Sequence, residues 1–348
     1  MKPTHLALCG LGLIGKAHLR VIQNNPHSSL TSIVDPSDGA KQMAFELGVA
    51  HFDRLDLAIS AGNLDGVILA TPNSLHVTQA IECIKSKLPV LVEKPIADQV
   101  SQARELVQLS HASGVPVLVG HHRAHSSIMR EAVSQVQSGA LGRLVCFQGS
   151  ATFYKNKEYF EQGPWRKQAG GGPLLINMIH EVHNMQMLCG RITSVQTTSS
   201  NFIRAHEVED TVCMALSFES GALGTFMLSD CAASPLSWEH TSAENKAYPH
   251  SPLSNCYHLS GTQGTLSIPT MTVHKYPVGT PASWFTPMQV ESLAFDQLDP
   301  LEVQLAHFLE VIKHQTPPLV SAQNGLDNLI AVNAIIESAK TGQRVRIE

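Results

Sequence analysis

Charge is scarce in this sequence. Asp, Glu, Lys and Arg make up 15% of its 348 residues, against about 25% in a typical soluble protein. Positive charge is the scarcer sign, with Lys+Arg 24 against Asp+Glu 29 and a formal net charge of −5. That balance speaks against a broad basic surface for nucleic acid or for an anionic membrane, so neither partner is expected. Apolar runs of the length of about 18 needed to span a bilayer are missing. The first residues run from a short apolar stretch straight into Gly10-Leu-Gly12 with no A-x-A-like site, so no signal peptide is expected. Cys-x-x-Cys pairs are also missing. The cysteines are Cys9, Cys83, Cys146, Cys189, Cys213, Cys231 and Cys256, an odd set with wide spacing. This argues against a disulfide framework and a thiolate zinc site. Small buried thiols in a reducing cytoplasm are the expectation.

What is present fits a folded enzyme-sized chain. Hydrophobic content of 43% and a mixed composition argue against disorder, and the length suits two domains. Histidine is abundant, at 18 residues.

Up to residue 122 short apolar runs alternate with helical patterns. Leu6–Cys9, Leu30–Val34, Gly66–Ala70, Pro89–Val92 and Val115–Val119 read as buried strands. Val77, Ala80, Ile81 and Ile84 keep the spacing of one helical face; Val100, Ala103 and Val107 mark another, between Asp98 and Gly114. Such alternation predicts a doubly wound parallel sheet covered on both faces.

A helix is expected at 126–138, and then the pattern changes. Leu144–Phe153, Val195–Phe202, Val208–Phe218 and Leu223–Asp230 read as longer strands, with Glu219-Ser-Gly-Ala222 as a hairpin turn. Shorter strands are expected at 256–260, 264–268 and 272–276, a surface loop at 231–255, and helices at 301–314 and 322–341. The fold class is therefore α/β: a Rossmann-type parallel sheet at 1–122, then an α+β domain at 123–348 with a large, mostly antiparallel open sheet.

Gly10-Leu-Gly12-Leu-Ile-Gly15 directly follows the first strand and opens a helix. Gly10 permits the tight turn, Gly12 lets the backbone approach a pyrophosphate, and Gly15 lets the helix pack closely on the strand. The amides of the helix start, at Leu13, Ile14 and Gly15, are free for phosphate. Asp35 ends the second strand, 20 residues past Gly15, where an acid bonds the ribose hydroxyls of NAD and repels a 2′-phosphate. NAD is the expected cofactor, with NADP as second choice. Thr71-Pro72-Asn73 follows the strand at 66–70 and reads equally as a ligand loop or a capped turn.

Glu93-Lys94-Pro95 closes the strand at 89–92. Together with the glycine fingerprint, Thr71-Pro72-Asn73-x-x-His76 and Gly170-Gly-Gly172, it resembles the Gfo/Idh/MocA oxidoreductases, the glucose–fructose oxidoreductase and inositol dehydrogenase family. The resemblance covers nearly the whole chain. It implies that Thr71, Pro72, Asn73, His76, Glu93 and Lys94 line the cofactor and that Lys94 approaches both the nicotinamide and the reacting hydroxyl. A cis peptide bond before Pro95 is expected, since X–Pro bonds tolerate it. The family's D-x-x-x-H helix follows the glycine run. His180 matches its histidine, but Ile176 occupies the aspartate position and Asn177 lies next to it. An acid common three residues after the histidine is here His183.

On one helix Asn177, His180 and Asn184 form a polar stripe. Asn177 hydrogen-bonds but carries no charge, so proton transfer falls on His180, whose unperturbed pKa of about 6.5 suits the task. Arg123, in His121-His122-Arg123, is read either as orienting substrate or nicotinamide or as an interdomain salt bridge. Trp165 and Arg166 are read either as contacts to a sugar face and its hydroxyls or carboxylate, or as packing. His183 is balanced between substrate contact and structure. A metal site from His121, His122, His125, His180 and His183 is not expected, because no tight H-x-x-x-H pair sits on one helix and hydride chemistry needs no metal.

The resulting expectation is NAD-dependent oxidation of a secondary alcohol on a sugar, polyol or related cyclic hydroxy compound. Two alternatives stand beside it. One is a redox-neutral lyase or glycosidase with tightly held NAD; the other is a non-catalytic NAD-binding sensor, which Ile176 favours. The resemblance also implies a homodimer or homotetramer formed through the open sheet.

Overall fold

The computed structural model describes residues 2–347. They form two compact units. One runs from the start of the chain to His125 and takes in Asp299–Leu329; the other holds Ser126–Leu298 and the segment from Ile330 onward.

In the first unit strands and helices alternate: β1 (Thr4–Cys9), α1 (Leu13–Asn24), β2 (Ser28–Val34), α2 (Asp38–Leu47), β3 (Ala50–Phe52), α3 (Leu55–Ala61), β4 (Gly66–Leu69), α4 (Asn73–Lys85), β5 (Val90–Val92), α5 (Val100–Ser113) and β6 (Val117–Val119). The strands form one sheet in the order β3-β2-β1-β4-β5-β6, and all recorded pairings are parallel. The order reverses between β1 and β4, which opens a crevice at their carboxyl ends. Apolar side chains buried on both faces explain the near-continuous strand runs; Leu6, Ala7, Leu8, Ile68 and Leu91 are fully buried. β3 was not read from sequence, because three residues show no period.

The second unit contains α6 (Ser127–Gln137), β7 (Leu144–Thr152), α7 (Lys157–Glu161), α8 (Gly172–Ile176), α9 (Met178–Cys189), β8 (Ile192–Ser200), β9 (Thr211–Phe218), β10 (Leu223–Ser229), α10 (Trp238–Thr241), β11 (Tyr257–Gly261), β12 (Gly264–Ile268), β13 (Thr272–Lys275) and β14 (Gln289–Ser292). Two helices follow, α11 (Pro300–Ile312) and α12 (Ala322–Thr341), and then β15 (Val345–Arg346). A nine-stranded sheet runs β14-β13-β12-β11-β7-β10-β9-β8-β15. Its pairings are antiparallel except that β7 and β10 run parallel. Alternation sorts its faces: Val212, Met214, Leu216 and Phe226 are buried, while Cys213, Ala215, Thr225 and Met227 are exposed on the opposite face.

The sequence placed 299–329 with the second domain, whereas it packs with the first sheet. Asp299 caps α11 by accepting from the Leu301 amide at 2.9 Å. Leu305, Phe308 and Leu309 join the core of Leu6, Leu8, Ile68, Leu91 and Leu118. A side chain at Gly66 would come within 2.6 Å of Ile312, so this glycine lets α11 lie against β4. Arg20 on α1 pairs with Asp299 at 2.9 Å. These contacts join residues hundreds of positions apart and leave no local pattern. No helix among the described residues is long and apolar enough to cross a membrane.

Candidate active site

The glycine loop forms because three positions exclude side chains for different reasons. Gly10 has φ of +86°, and a Cβ there would lie 2.5 Å from the Ala70 carbonyl oxygen at the end of β4. At Gly15 a Cβ would lie 2.0 Å from the Gly10 oxygen, which forces a glycine where α1 passes the loop. At Gly12 nothing lies within 4 Å, so the space beside it is open. Gly12 is also the N-cap of α1, and no side chain caps that helix end. The amides of Leu13, Ile14 and Gly15 thus begin a helix with an open, side-chain-free cap, which suits a pyrophosphate.

Asp35 stands directly after β2. Its Oδ2 accepts from the Leu11 amide at 2.9 Å, inside the glycine loop. Its Oδ1 accepts from the Ser37 amide at 2.9 Å and the Ser37 hydroxyl at 2.6 Å. Burial works against the carboxylate, but these donors outweigh it and hold Asp35 below the usual range. Oδ2 keeps a lone pair for a ribose hydroxyl. The set of open amides and a partly exposed acid fits an NAD half-site.

Thr71, Pro72 and Asn73 follow β4 at the same edge, with Asn73 opening α4. His76 on α4 is buried and bridges two loops: Nδ1 lies 2.8 Å from the Pro95 carbonyl oxygen and Nε2 lies 2.9 Å from that of Thr71. It therefore ties the Thr71 turn to the Glu93-Lys94-Pro95 turn. The Lys94–Pro95 peptide is cis, matching the expectation.

Glu93 is buried and faces its own protein. Its Oε1 lies 2.8 Å from His18 Nε2 on α1, and Gly120 leaves room for the carboxyl, since a Cβ there would lie 2.8 Å from it. Burial raises the Glu93 pKa, but His18, Lys94 and His122 outweigh it and hold the carboxyl below the usual range. Lys94 is pushed down from the usual lysine value by burial; Glu93 opposes and Arg123 adds to the shift. His122 is pushed down to about 4, chiefly by burial and then by the charge of Arg123. Arg123 is buried in a 3-10 turn, His122–His125. Lys94 and His122 thus both act on the Glu93 carboxylate at the carboxyl ends of β5 and β6, and Arg123 acts on each of them.

His180 and Asn177 belong to the second unit. The expected single helix is two: α8 ends at Ile176, and Asn177 sits at the junction with α9. Here the His180 amide donates to the Asn177 carbonyl at 3.2 Å, a tighter i to i+3 turn. Asn184 is fully buried and donates to the Tyr257 hydroxyl at 3.0 Å, so it leaves the expected polar stripe. The Tyr257 hydroxyl donates to Glu181, also buried. His183 is buried and pushed down to about 4, which keeps its ring neutral.

The glycine run is shaped by its surroundings. A Cβ at Gly171 would lie 2.7 Å from the Arg166 backbone, and one at Gly172, with φ of +81°, would lie 2.5 Å from Glu209. Glu209 caps α8 by accepting from the Leu174 amide at 2.9 Å. Arg166 donates to the Tyr159 carbonyl and lies over the Tyr159 ring at 4.0 Å. Trp165 is exposed.

Lys155 is the residue that the sequence reading missed. It follows β7, and its Nζ donates to Asn177 Oδ1 at 2.8 Å. Burial pushes its pKa down to about 8. The one local signal is its place at the end of the aromatic run Phe153-Tyr154, which resembles no motif by itself. His18 was missed as well; a histidine among the buried Leu19, Val21 and Ile22 of α1 was the available clue. Among the described residues no group of three or more His, Cys, Asp or Glu is placed to hold a metal ion.

Comparison with known proteins gives the family and the fold. Residues 4–121 match the model of an oxidoreductase family with an NAD-binding Rossmann fold, and residues 129–267 match the GFO/IDH/MocA C-terminal domain. Among curated relatives, the 2,7-anhydro-N-acetylneuraminate hydratase of Escherichia coli is 30% identical over 225 residues, which span 62% of this chain and 59% of that protein. The scyllo-inositol 2-dehydrogenase (NAD(+)) of Bacillus subtilis is 25% identical over 353 residues, covering 98% of this chain and 96% of that one. A solved oxidoreductase from Agrobacterium radiobacter, in complex with NAD+, L-tartaric acid and magnesium, shares the fold with a TM-score of 0.82 at 16% identity, covering 99% and 98% of the two chains. Two domain models of one family, matched in order on a glycine loop open to a pyrophosphate and on the sheet that follows it, place this chain in the GFO/IDH/MocA family of NAD-binding oxidoreductases.

Proposed function

We propose that this chain is an NAD-dependent dehydrogenase that oxidises a secondary alcohol of a sugar, polyol or related cyclic hydroxy compound. The observation that carries this reading is Lys94. It is a lysine depressed by burial, set at the carboxyl end of β5 on the edge that holds the glycine loop. Bound NAD supplies the hydride acceptor. Lys94 holds the substrate oxygen and stabilises negative charge on it as its proton leaves. His180 accepts that proton. Asn177 orients a neighbouring substrate group without itself titrating.

Domain roles follow the same reading, with cofactor on the first unit and substrate on the second. The uncharged open sheet face, with Gln148, Ser150, Cys213, Ala215, Thr225 and Met227, supports self-association into a homodimer or homotetramer. The Cys83 and Cys189 thiols, pushed up to about 12 by burial, stay protonated and suit a reducing cytoplasm. The test is a screen of sugars, polyols and their acids for NADH formation by the purified chain. Failure of every compound to reduce NAD, with the cofactor demonstrably bound, would sink the reading.

A second reading is favoured by the likeness to the hydratase. In it the same residues serve a reaction with no net redox change. Product formation without accumulating NADH would select it.

A further inference from the structure

Lys155 carries an ammonium group that no carboxylate touches directly; Asp230 and Glu239 act on it only through space. Its single hydrogen bond goes to a neutral atom, Asn177 Oδ1, at 2.8 Å. The rings of Tyr159 and Phe153 flank it, with centroids 4.7 and 5.3 Å away. Among the described residues no carboxylate lies within ion-pair distance of Nζ. Three of the acids nearby, Asp230, Asp210 and Glu209, are held by other donors. Asp230 Oδ1 pairs with Arg204 Nε at 2.7 Å. Asp210 Oδ2 accepts from the Ile203 and Arg204 amides at 3.0 and 2.8 Å. Glu209 accepts from the Leu174 amide. Asp230 and Glu239 act on Lys155 through space and raise its pKa, while Arg166 and Arg204 lower it; burial exceeds all four.

The pair also fixes what the site presents. An ammonium only donates, so the atom of Asn177 that faces it is the oxygen. The remaining polar atom, Nδ2, is a two-proton donor. Lys155 has three N–H groups and spends one on Asn177. Where the family resemblance expects an aspartate, Ile176 adds no acceptor. This corner of the second unit therefore offers donors and positive charge, one turn before His180. A substrate hydroxyl would satisfy a donor but place no anion in contact with the ammonium. A carboxylate does both.

The geometry points to Lys155 and Asn177 as a subsite for a carboxylate of the substrate, which makes that substrate an acid of the sugar or polyol class, a uronate or aldonate. The inference rests on reading the second unit as the substrate half. It does not depend on the direction or net outcome of the redox step.

Calorimetry on the full chain with saturating NAD tests it with matched probes: D-glucuronate against D-glucose, D-galacturonate against D-galactose, and D-gluconate against D-glucitol. At least one acid is expected to bind about tenfold or more tightly than its neutral partner, the scale of a charge-assisted hydrogen bond. Lys155→Met should abolish that preference and Lys155→Arg should keep most of it. Lys155→Gln gives the same answer if the Met variant does not fold. No preference in any pair, or a preference that survives loss of the charge, overturns the subsite. NADH formation, read in parallel, separates the two ideas. An acid preference without reduction sinks the dehydrogenase reading alone, and reduction by neutral sugars without acid preference sinks the subsite alone.

Discussion

His18 on α1 and Glu93 at the end of β5 form a buried pair, with His18 Nε2 2.8 Å from Glu93 Oε1. Through it, the helix that opens from the glycine loop is tied to the residue before Lys94. The Glu93 carboxyl therefore organises the cofactor edge from beneath. His18→Ala leaves that carboxylate buried without its partner, and the expected loss of stability is about 3 kcal/mol by urea unfolding at neutral pH. The sign with pH follows from the Glu93 pKa, which lies below its ordinary value. Its contribution is present above the unfolded value of about 4.3 and fades as pH falls through the lower folded value. The penalty of His18→Ala should shrink in the same acid range. A variant as stable as the parent at neutral pH would contradict the role given to the pair.

Gly12 and Gly15 separate fold from ligand. A Cβ at Gly15 meets the Gly10 carbonyl oxygen at 2.0 Å, whereas one at Gly12 meets nothing within 4 Å. Gly15→Ala should lower the Tm of the cofactor-free protein by several degrees. Gly12→Ala should leave that Tm nearly unchanged and weaken NAD binding by about tenfold or more, because the new methyl stands where the backbone must approach the pyrophosphate. Fluorescence titration with NAD, beside thermal unfolding of the free protein, reads both. Equal effects of the two substitutions on Tm would show that Gly12 is structural.

Much of the first half-site was legible because its parts are local. Gly10, Gly12 and Gly15 lie within one turn, and Asp35 follows a strand at a set distance. Strand-like runs and a hairpin turn likewise announced β7 to β13. The rest depends on contacts that no local pattern encodes. Lys155 meets Asn177 across the glycine run and two short helices, 22 residues on. Glu93 finds His18 from 75 residues away. α11 joins the first sheet only because Gly66 leaves room for Ile312. Asn177 looked like one position on a continuous helix, and the tighter turn at the α8–α9 junction was invisible in its apolar neighbours.

Lys94 and His180 should fail in different ways. Lys94→Ala removes charge stabilisation at the reacting oxygen, and His180→Ala removes the proton acceptor. Each should lower kcat by about 100-fold or more, the range of acid–base catalysis, while NAD affinity stays within about threefold of the parent. Stopped-flow reduction of NAD by an active substrate, with separate cofactor titrations, measures both. Full activity in either variant would remove that residue from the mechanism.

Lys155 predicts the alkaline behaviour of substrate binding. Its pKa is pushed down to about 8 by burial, so the free site carries its full positive charge below that pH and loses it above. Affinity for a carboxylate probe should therefore hold on the acid side and fall as pH rises through about 8, while a neutral sugar of the same shape shows no such decline. Lys155→Arg should move the decline upward, because a guanidinium stays charged across this range. Lys155→Met should flatten the profile. Binding isotherms for D-glucuronate and D-glucose from pH 6.5 to 9.5 would show this, since the range brackets a group titrating near 8. Identical pH profiles for the acid and the neutral sugar would mean that Lys155 does not read the carboxylate.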